Sequence, residues 1–309
     1  MTAPARGFEA AAEPLKFLDY FTREDRARFH GRNEEIERVT VGVLQSRTFV
    51  LYGPSGSGKT SLLLAGVFPE LERRGHRPVY VRTLSNPEAD LHEALRRAWL
   101  PPLPPPASIQ GLIAGLTGKG PLVIAFDQFE EFFIRFRGAP EERQRFIELL
   151  GDLQQQDRFD LRILFSIRQE WVSELDDFRG VLPGRLEGEY RLRLLTAFGA
   201  RQAIASQLEH AQVDYEPRLL LKLVDALEEY NFDPTVLQLL CSELYRRAAA
   251  RRRGGPIRLT VEDLKQVGGL SQIFKAYLDD FTASLPEDAK LTARAVLDAM
   301  TLHQYALRQ

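Results

Sequence analysis

Eight residues, GPSGSGKT from Gly53 to Thr60, carry side chains at a spacing that can do chemistry. They fit G-x-x-x-x-G-K-[ST] and stand between a β-rich run, TFVLY, and an apolar helical run, SLLLAGV. Gly53, Gly56 and Gly58, with Pro54, Ser55 and Ser57 between them, let the main chain curl so that its N–H groups converge. The helix that follows, opened by Lys59, Thr60 and Ser61, turns its positive dipole end to the same point. Such a cradle suits a polyphosphate. Lys59 is expected to reach the β- and γ-phosphates, and the Thr60 hydroxyl to ligate Mg²⁺.

A phosphate-bound Mg²⁺ needs a carboxylate from a second strand, and LVIAFD ends in Asp127. One strand later, RILFSIR ends in Arg168, at the carboxyl edge where ligands bind in open α/β sheets. Arg168 could sense a γ-phosphate there, or be a surface residue at a strand end. Gln128 stands directly after Asp127, where many ATPases place a catalytic glutamate. An amide cannot take a proton from attacking water, so Gln128 could only orient it. Glu130 and Glu131 lie two and three residues further on, and either could turn back to serve as base.

The surrounding pattern supplies the elements. Apolar residues at Ile36, Val39, Val43 and Leu44 predict a helix over NEEIERVTVGVL. Strands are expected at RTFVLYG, RPVYVRTL, PLVIAFD and LRILFSIR, alternating with helices at ADLHEALRRAWL and EERQRFIELLGDL. This alternation predicts a parallel sheet with crossover helices on both faces. The proline run PPLPPPAS reads as a rigid surface loop or as a PxxP docking segment. After about Thr196 the strands are expected to stop, and every following segment has helical periodicity. The expected division is a lead-in over 1–24, which packs late or stays loose over its first 20 residues or so, an α/β nucleotide domain over 25–196, a helical lid over 197–284, and a further segment over 285–309. No internal repeat is visible.

The chain has 309 residues, 44% hydrophobic and 27% charged, with net charge -2. That is ample for a buried core, and no global field favours nucleic acid or an anionic membrane. No apolar run approaches the roughly 18 residues of a membrane span, and the first residues lack the apolar core of a secretory signal, so a cytoplasmic location and no membrane partner are expected. The single cysteine, Cys241, excludes an internal disulfide and reads as core. The tract YRRAAARRR could grip nucleic-acid phosphates, or be a solvated helix terminus whose cations meet the dipole. Trp99 and Trp171 read as packing residues.

FHGRNEEIERV, GPSGSGKTSLLLAGVFPEL, DQFEEFF and FSIRQEW together resemble the STAND signal-transduction ATPases of the AAA+-like P-loop class, in particular the novel-STAND branch. The resemblance implies that Gly31, Arg32 and Glu35 lie on the base side of ATP or ADP. It makes Asp127 and Thr60 the Mg²⁺ residues and Arg168 the sensor arginine, and it marks DQFEE as the family's usual form. Pro234, in FDPTVLQLL, matches a Gly-x-Pro segment whose proline packs on the base, although Phe232 stands in the glycine place. A proline that simply initiates a helix explains Pro234 equally well. Residues 285–309 resemble the opening of a winged-helix unit, and neither an effector domain nor a repeat-containing sensor is seen, so a compact or truncated version is expected.

The expectation drawn from this is an ATP-binding, slowly hydrolysing switch in bacterial stress or antiviral defence. It would form a nucleotide-dependent homo-oligomer and work with an effector or sensor partner. Two alternatives stand beside it: an AAA+-like ATPase that remodels or loads protein on DNA, and a nucleotide-binding regulatory fragment with no output of its own.

Overall fold

The computed structural model describes Lys16 and residues 18–306, apart from 83–85, 100–105, 107, 157, 179, 183–187, 252–255 and 269. The proline run therefore lies almost wholly outside the described residues.

Five parallel strands form the central sheet: β1 (Thr48–Gly53), β2 (Arg77–Arg82), β3 (Leu122–Asp127), β4 (Leu161–Arg168) and β5 (Gly188–Arg191), in the spatial order β2-β3-β4-β1-β5. Successive side chains point to opposite faces, so each strand feeds two cores. Phe49, Leu51, Val123, Ala125 and Leu164 pack with the helix Asn33–Gln45 and the helix behind the glycine-rich loop. Val50, Val79, Ile124, Phe126 and Phe165 pack on the other face, with the helices Pro87–Ala98, Ile109–Thr117 and Pro140–Gln155. All six residues of β3 are buried, as a strand covered on both faces must be. This confirms the expected α/β class.

The second face is aromatic. Phe126, Phe129, Phe132, Phe133, Phe165 and Phe178 form one cluster, in which the Phe129 and Phe132 rings stack at 4.9 Å. DQFEEFF is thus largely a packing sequence, and its phenylalanines hold the turn after β3 rigid. Trp171 stacks on Phe133, while Trp99 packs so closely on Gly115 that a Cβ there would fall 2.2 Å from the indole.

Beyond Thr196 the chain is mainly helical, and Ala197–His210, Pro217–Glu228 and Pro234–Arg251 enclose a core of their own. Cys241 lies in it, and burial pushes its thiol up to about 12. One expectation needs correction. Strands do not stop at Thr196: β6 (Asp214–Tyr215) and β7 (Arg258–Leu259) pair in parallel and close the helical unit, each too short to register as a periodicity. Just past the first 20 residues the chain is anchored. Phe21 is buried against Phe29, and the Asp25 carboxylate gathers Lys16 Nζ at 2.5 Å, the Thr22 N–H at 2.7 Å and Arg28. Short-range polar contacts of this kind leave no hydrophobic period in the sequence.

Candidate nucleotide site

β1 ends at Gly53, where a Cβ would fall 2.2 Å from the Leu192 carbonyl oxygen of the chain leaving β5. Only glycine permits that approach. The loop then turns through Gly56 and Gly58 in the left-handed region into Lys59–Ser61, which continues as a π-helical stretch, Leu62–Val67, and as Phe68–Arg73. Lys59 Nζ donates back to the carbonyls of Gly53 and Pro54, at 3.0 and 3.1 Å. Burial lowers its pKa, and the negative charges of Glu130 and Asp127 work against that shift.

Sheet register sets the opposite wall. Gly53 pairs with Arg168 and Arg82 with Asp127, so all four stand at one carboxyl edge. Asp127 is 1% exposed and accepts three hydroxyl hydrogen bonds: from Ser166 to Oδ1 at 2.5 Å, and from Thr60 and Tyr80 to Oδ2 at 2.6 and 3.0 Å. Burial, and then the Asp127 charge, push the Tyr80 phenol up, so Tyr80 stays a donor. Thr60 Oγ1 and Asp127 present the paired hydroxyl and carboxylate oxygens that Mg²⁺ takes together with phosphate and water, so the donor set fits that ion. Among the described residues no group of three His, Cys, Asp or Glu side chains could hold a metal without such outside ligands.

Gln128 takes φ +54, a strained backbone for glutamine, and its Oε1 accepts from Arg82 Nε at 3.0 Å. The turn is pinned from behind, where the Phe129 N–H donates to the Ser166 carbonyl at 3.0 Å. The chain then delivers Glu130, 3% exposed, to the site. Its Oε1 lies 2.9 Å from Arg168 Nε, and its Oε2 accepts the Arg168 main-chain N–H at 3.2 Å.

The third wall comes from the helical unit and the N-terminal segment. Arg32, 4% exposed, donates to Glu35, to the Ser57 carbonyl at 3.0 Å and to the Arg193 carbonyl at 2.9 Å. It thereby ties the segment before the first long helix to the phosphate loop. Gly31, at φ +83, sits against the start of the helix Ala197–His210, and a Cβ there would fall 2.2 Å from the Gly199 carbonyl oxygen. Pro234 opens the helix Pro234–Arg251 and also lines the cavity. Phe232, in the glycine place, takes the left-handed φ of +55 that a glycine would adopt. Phe21 N–H donates to Ser61 Oγ at 3.1 Å, and Gln238 Nε2 to the Asp19 carbonyl at 3.2 Å, so the N-terminal segment straps loop to lid.

These walls enclose about 250 Å³. Of the site residues singled out from the sequence, Gly31, Glu35, Gly53, Pro54 and Glu131 do not line this cavity, and the rest do. Sequence reasoning missed Tyr80, Arg82, Ser166 and Gln207. Tyr80, Arg82 and Ser166 had a signal, since all three belong to strand runs that end at the acidic edge; Gln207 had none.

Parallel sheet, glycine-rich loop and acidic strand end define a P-loop NTPase. The family model described as novel STAND NTPase 1 matches residues 14–307, and the chain belongs to that family. Among solved structures it is similar to the Aeropyrum pernix ORC2 protein in its ADPNP-ADP complexes, at 18% identity and TM-score 0.58 over 76% of this chain and 66% of that one. It is likewise similar to the Aeropyrum pernix ORC1 protein in complex with DNA, at 18% identity and TM-score 0.56 over 89% and 73%. A Walker-type ATPase of Pyrococcus abyssi gives 15% identity and TM-score 0.60 over 96% and 81%. At these identities the likeness is one of fold, and that fold is AAA+-like. No curated protein matches the chain. Among the described residues no helix is long and apolar enough to cross a membrane.

Proposed function

We propose that the protein is an ATP-binding, slowly hydrolysing molecular switch. The observation that carries this reading is the Glu130–Arg168 pair. Glu130 is the carboxylate next to Asp127 that lines the cavity, and so the candidate general base, while Gln128 cannot accept a proton. The Arg168 guanidinium can hold Glu130 or a γ-phosphate oxygen, and turning to the phosphate frees Glu130 to take a proton from water. One side chain thus couples the presence of a γ-phosphate to the state of the base, which suits reporting on nucleotide more than rapid turnover.

Lys59 would exchange the carbonyls of Gly53 and Pro54 for phosphate oxygens. Mg²⁺ held by Thr60 and Asp127 would neutralise phosphate charge. Arg32 and Pro234 would form the base side, with Gly31 seating the segment that carries Arg32 against the helical unit. Because the helical unit lines the same cavity as the phosphate loop, its seating would depend on what the loop holds. ATP would favour an open, assembling form and ADP a closed one. The family resemblance supports a cytoplasmic role in stress or antiviral defence with an effector or sensor partner. A DNA-loading role draws little support from the basic tract, since Arg246 and Arg247 pair with Glu243 and Arg251 pairs with Asp263.

The test is the identity of nucleotide retained by the purified protein, with column mass after adding ADP or a non-hydrolysable ATP analogue. Retained ADP, and a mass increase on the analogue alone that Lys59→Ala abolishes, is the expected result. Rapid exchange and steady turnover at constant mass would overturn the switch.

A further inference from the structure

Tyr80 on β2 pairs with Ala125 on β3, and Ala125 pairs with Leu164 on β4. Side chains two residues apart share a face, so Tyr80, Asp127 and Ser166 stand on one side of the sheet, the side packed by the helix behind the glycine-rich loop. Tyr80 donates to Asp127 Oδ2 at 3.0 Å and Ser166 to Oδ1 at 2.5 Å, so the carboxylate is held from the strands on either side of its own. Thr60 Oγ1 lies 2.6 Å from Oδ2. A carboxylate accepts at about four lone-pair positions, two on each oxygen. Tyr80 and Thr60 take the two on Oδ2 and Ser166 takes one on Oδ1, which leaves the open position on Oδ1. The Tyr80 ring is itself fixed, since it meets Phe68 edge-on at 6.4 Å and Phe68 is buried at the start of the helix Phe68–Arg73. Tyr80 does not line the cavity, so its effect on a bound ligand must pass through Asp127.

We propose that Tyr80 is a positioning residue for the metal: by holding Oδ2 it fixes the turn of the Asp127 carboxylate and keeps the open position of Oδ1 toward the ion or its water. This rests on the reading of Thr60 and Asp127 as the Mg²⁺ pair and adds what orients that pair. A carboxylate pinned at one oxygen can swing about its Cβ–Cγ bond, whereas one pinned at both is ordered before the ion arrives. Thr60 cannot be the second anchor, because its oxygen is the one expected to take the metal. Tyr80, set in the sheet and against Phe68, can stay in place throughout.

The experiment is calorimetric titration of the full chain with a non-hydrolysable ATP analogue, once in EDTA and once in Mg²⁺, for wild type, Tyr80→Phe and Tyr52→Phe. Tyr80→Phe keeps the ring on Phe68 and removes one oxygen. Tyr52→Phe is the control, since its phenol faces Glu189 at 3.4 Å and its ring packs on the other face of the sheet. Wild type is expected to bind more tightly in Mg²⁺ than in EDTA. Tyr80→Phe should match wild type within about 2-fold in EDTA and lose about 10-fold of the gain from Mg²⁺, while Tyr52→Phe keeps that gain. A gain in Tyr80→Phe equal to or above that of wild type, or an equal loss in Tyr52→Phe, would overturn the role of Tyr80 and leave the nucleotide site standing. Equal wild-type affinity in both media would overturn the metal pair and this role with it, and binding in neither would overturn the nucleotide site itself.

Discussion

Glu130 and Glu131 are adjacent and chemically alike, yet their positions differ completely. Glu130 lines the cavity and holds Arg168, whereas Glu131 does not reach the cavity at all. The cause is the turn after β3, where left-handed Gln128 and the anchored Phe129 set the direction in which the next residues leave. If Glu130 is the base, Glu130→Gln will slow single-turnover hydrolysis by about 100-fold or more while nucleotide affinity changes little, and Glu131→Gln will leave the rate near wild type. Equal effects of the two substitutions would remove Glu130 from that role. The carboxamide at Gln128 remains what the sequence shows it to be, a group that can donate and accept hydrogen bonds but cannot carry a catalytic proton.

At the scale of elements, the N-terminal strap and the seat of the lid depend on few contacts. Burial pushes the Asp25 carboxyl up, but Lys16, the Thr22 N–H and Arg28 outweigh it and hold the group well below the usual carboxylate range. A carboxyl whose folded pKa is depressed stabilises the fold above its unfolded pKa, and that stability is lost as pH falls through the folded value. Wild type should therefore lose stability as the medium is acidified below about pH 4. Asp25→Asn should start lower at pH 7, by about 1.5–3 kcal/mol, and lose less over that acid window, as read from urea unfolding at each pH. Gly31 and Gly75 offer a paired test of the lid seat. Both have left-handed φ, +83 and +81, but a Cβ at Gly31 meets the Gly199 carbonyl while one at Gly75 meets nothing within 4 Å. Gly75→Ala should cost about 1–2 kcal/mol, the backbone penalty alone, and Gly31→Ala distinctly more.

For the whole molecule, the α/β core and the helical core are separate clusters that meet around one cavity. A ligand in that cavity touches both, so it should stabilise them as a unit. With nucleotide at about 100 times its Kd, the gain is about 2.7 kcal/mol, seen as a higher Tm in scanning calorimetry. Lys59→Ala should show no such gain. A nucleotide that raised the melting of the α/β core alone would show that the lid does not take part.

Local pattern was enough for the α/β class and for the family. Alternating apolar runs define the strands, GPSGSGKT is a contiguous loop, and a parallel sheet brings the ends of β1, β3 and β4 to one edge whatever the loops do. Those features are set by backbone geometry and neighbouring residues, so they are written in the order of the chain. What the sequence could not order was everything decided by contacts between distant segments. The three donors on Asp127 come from β2, β4 and the glycine-rich loop, the strap joins Phe21 to Ser61, and Gln207 reaches the cavity from a helix some 150 residues beyond the loop. Each depends on how elements pack and on which way one side chain turns, and only the folded chain, by burying those atoms together, settles that.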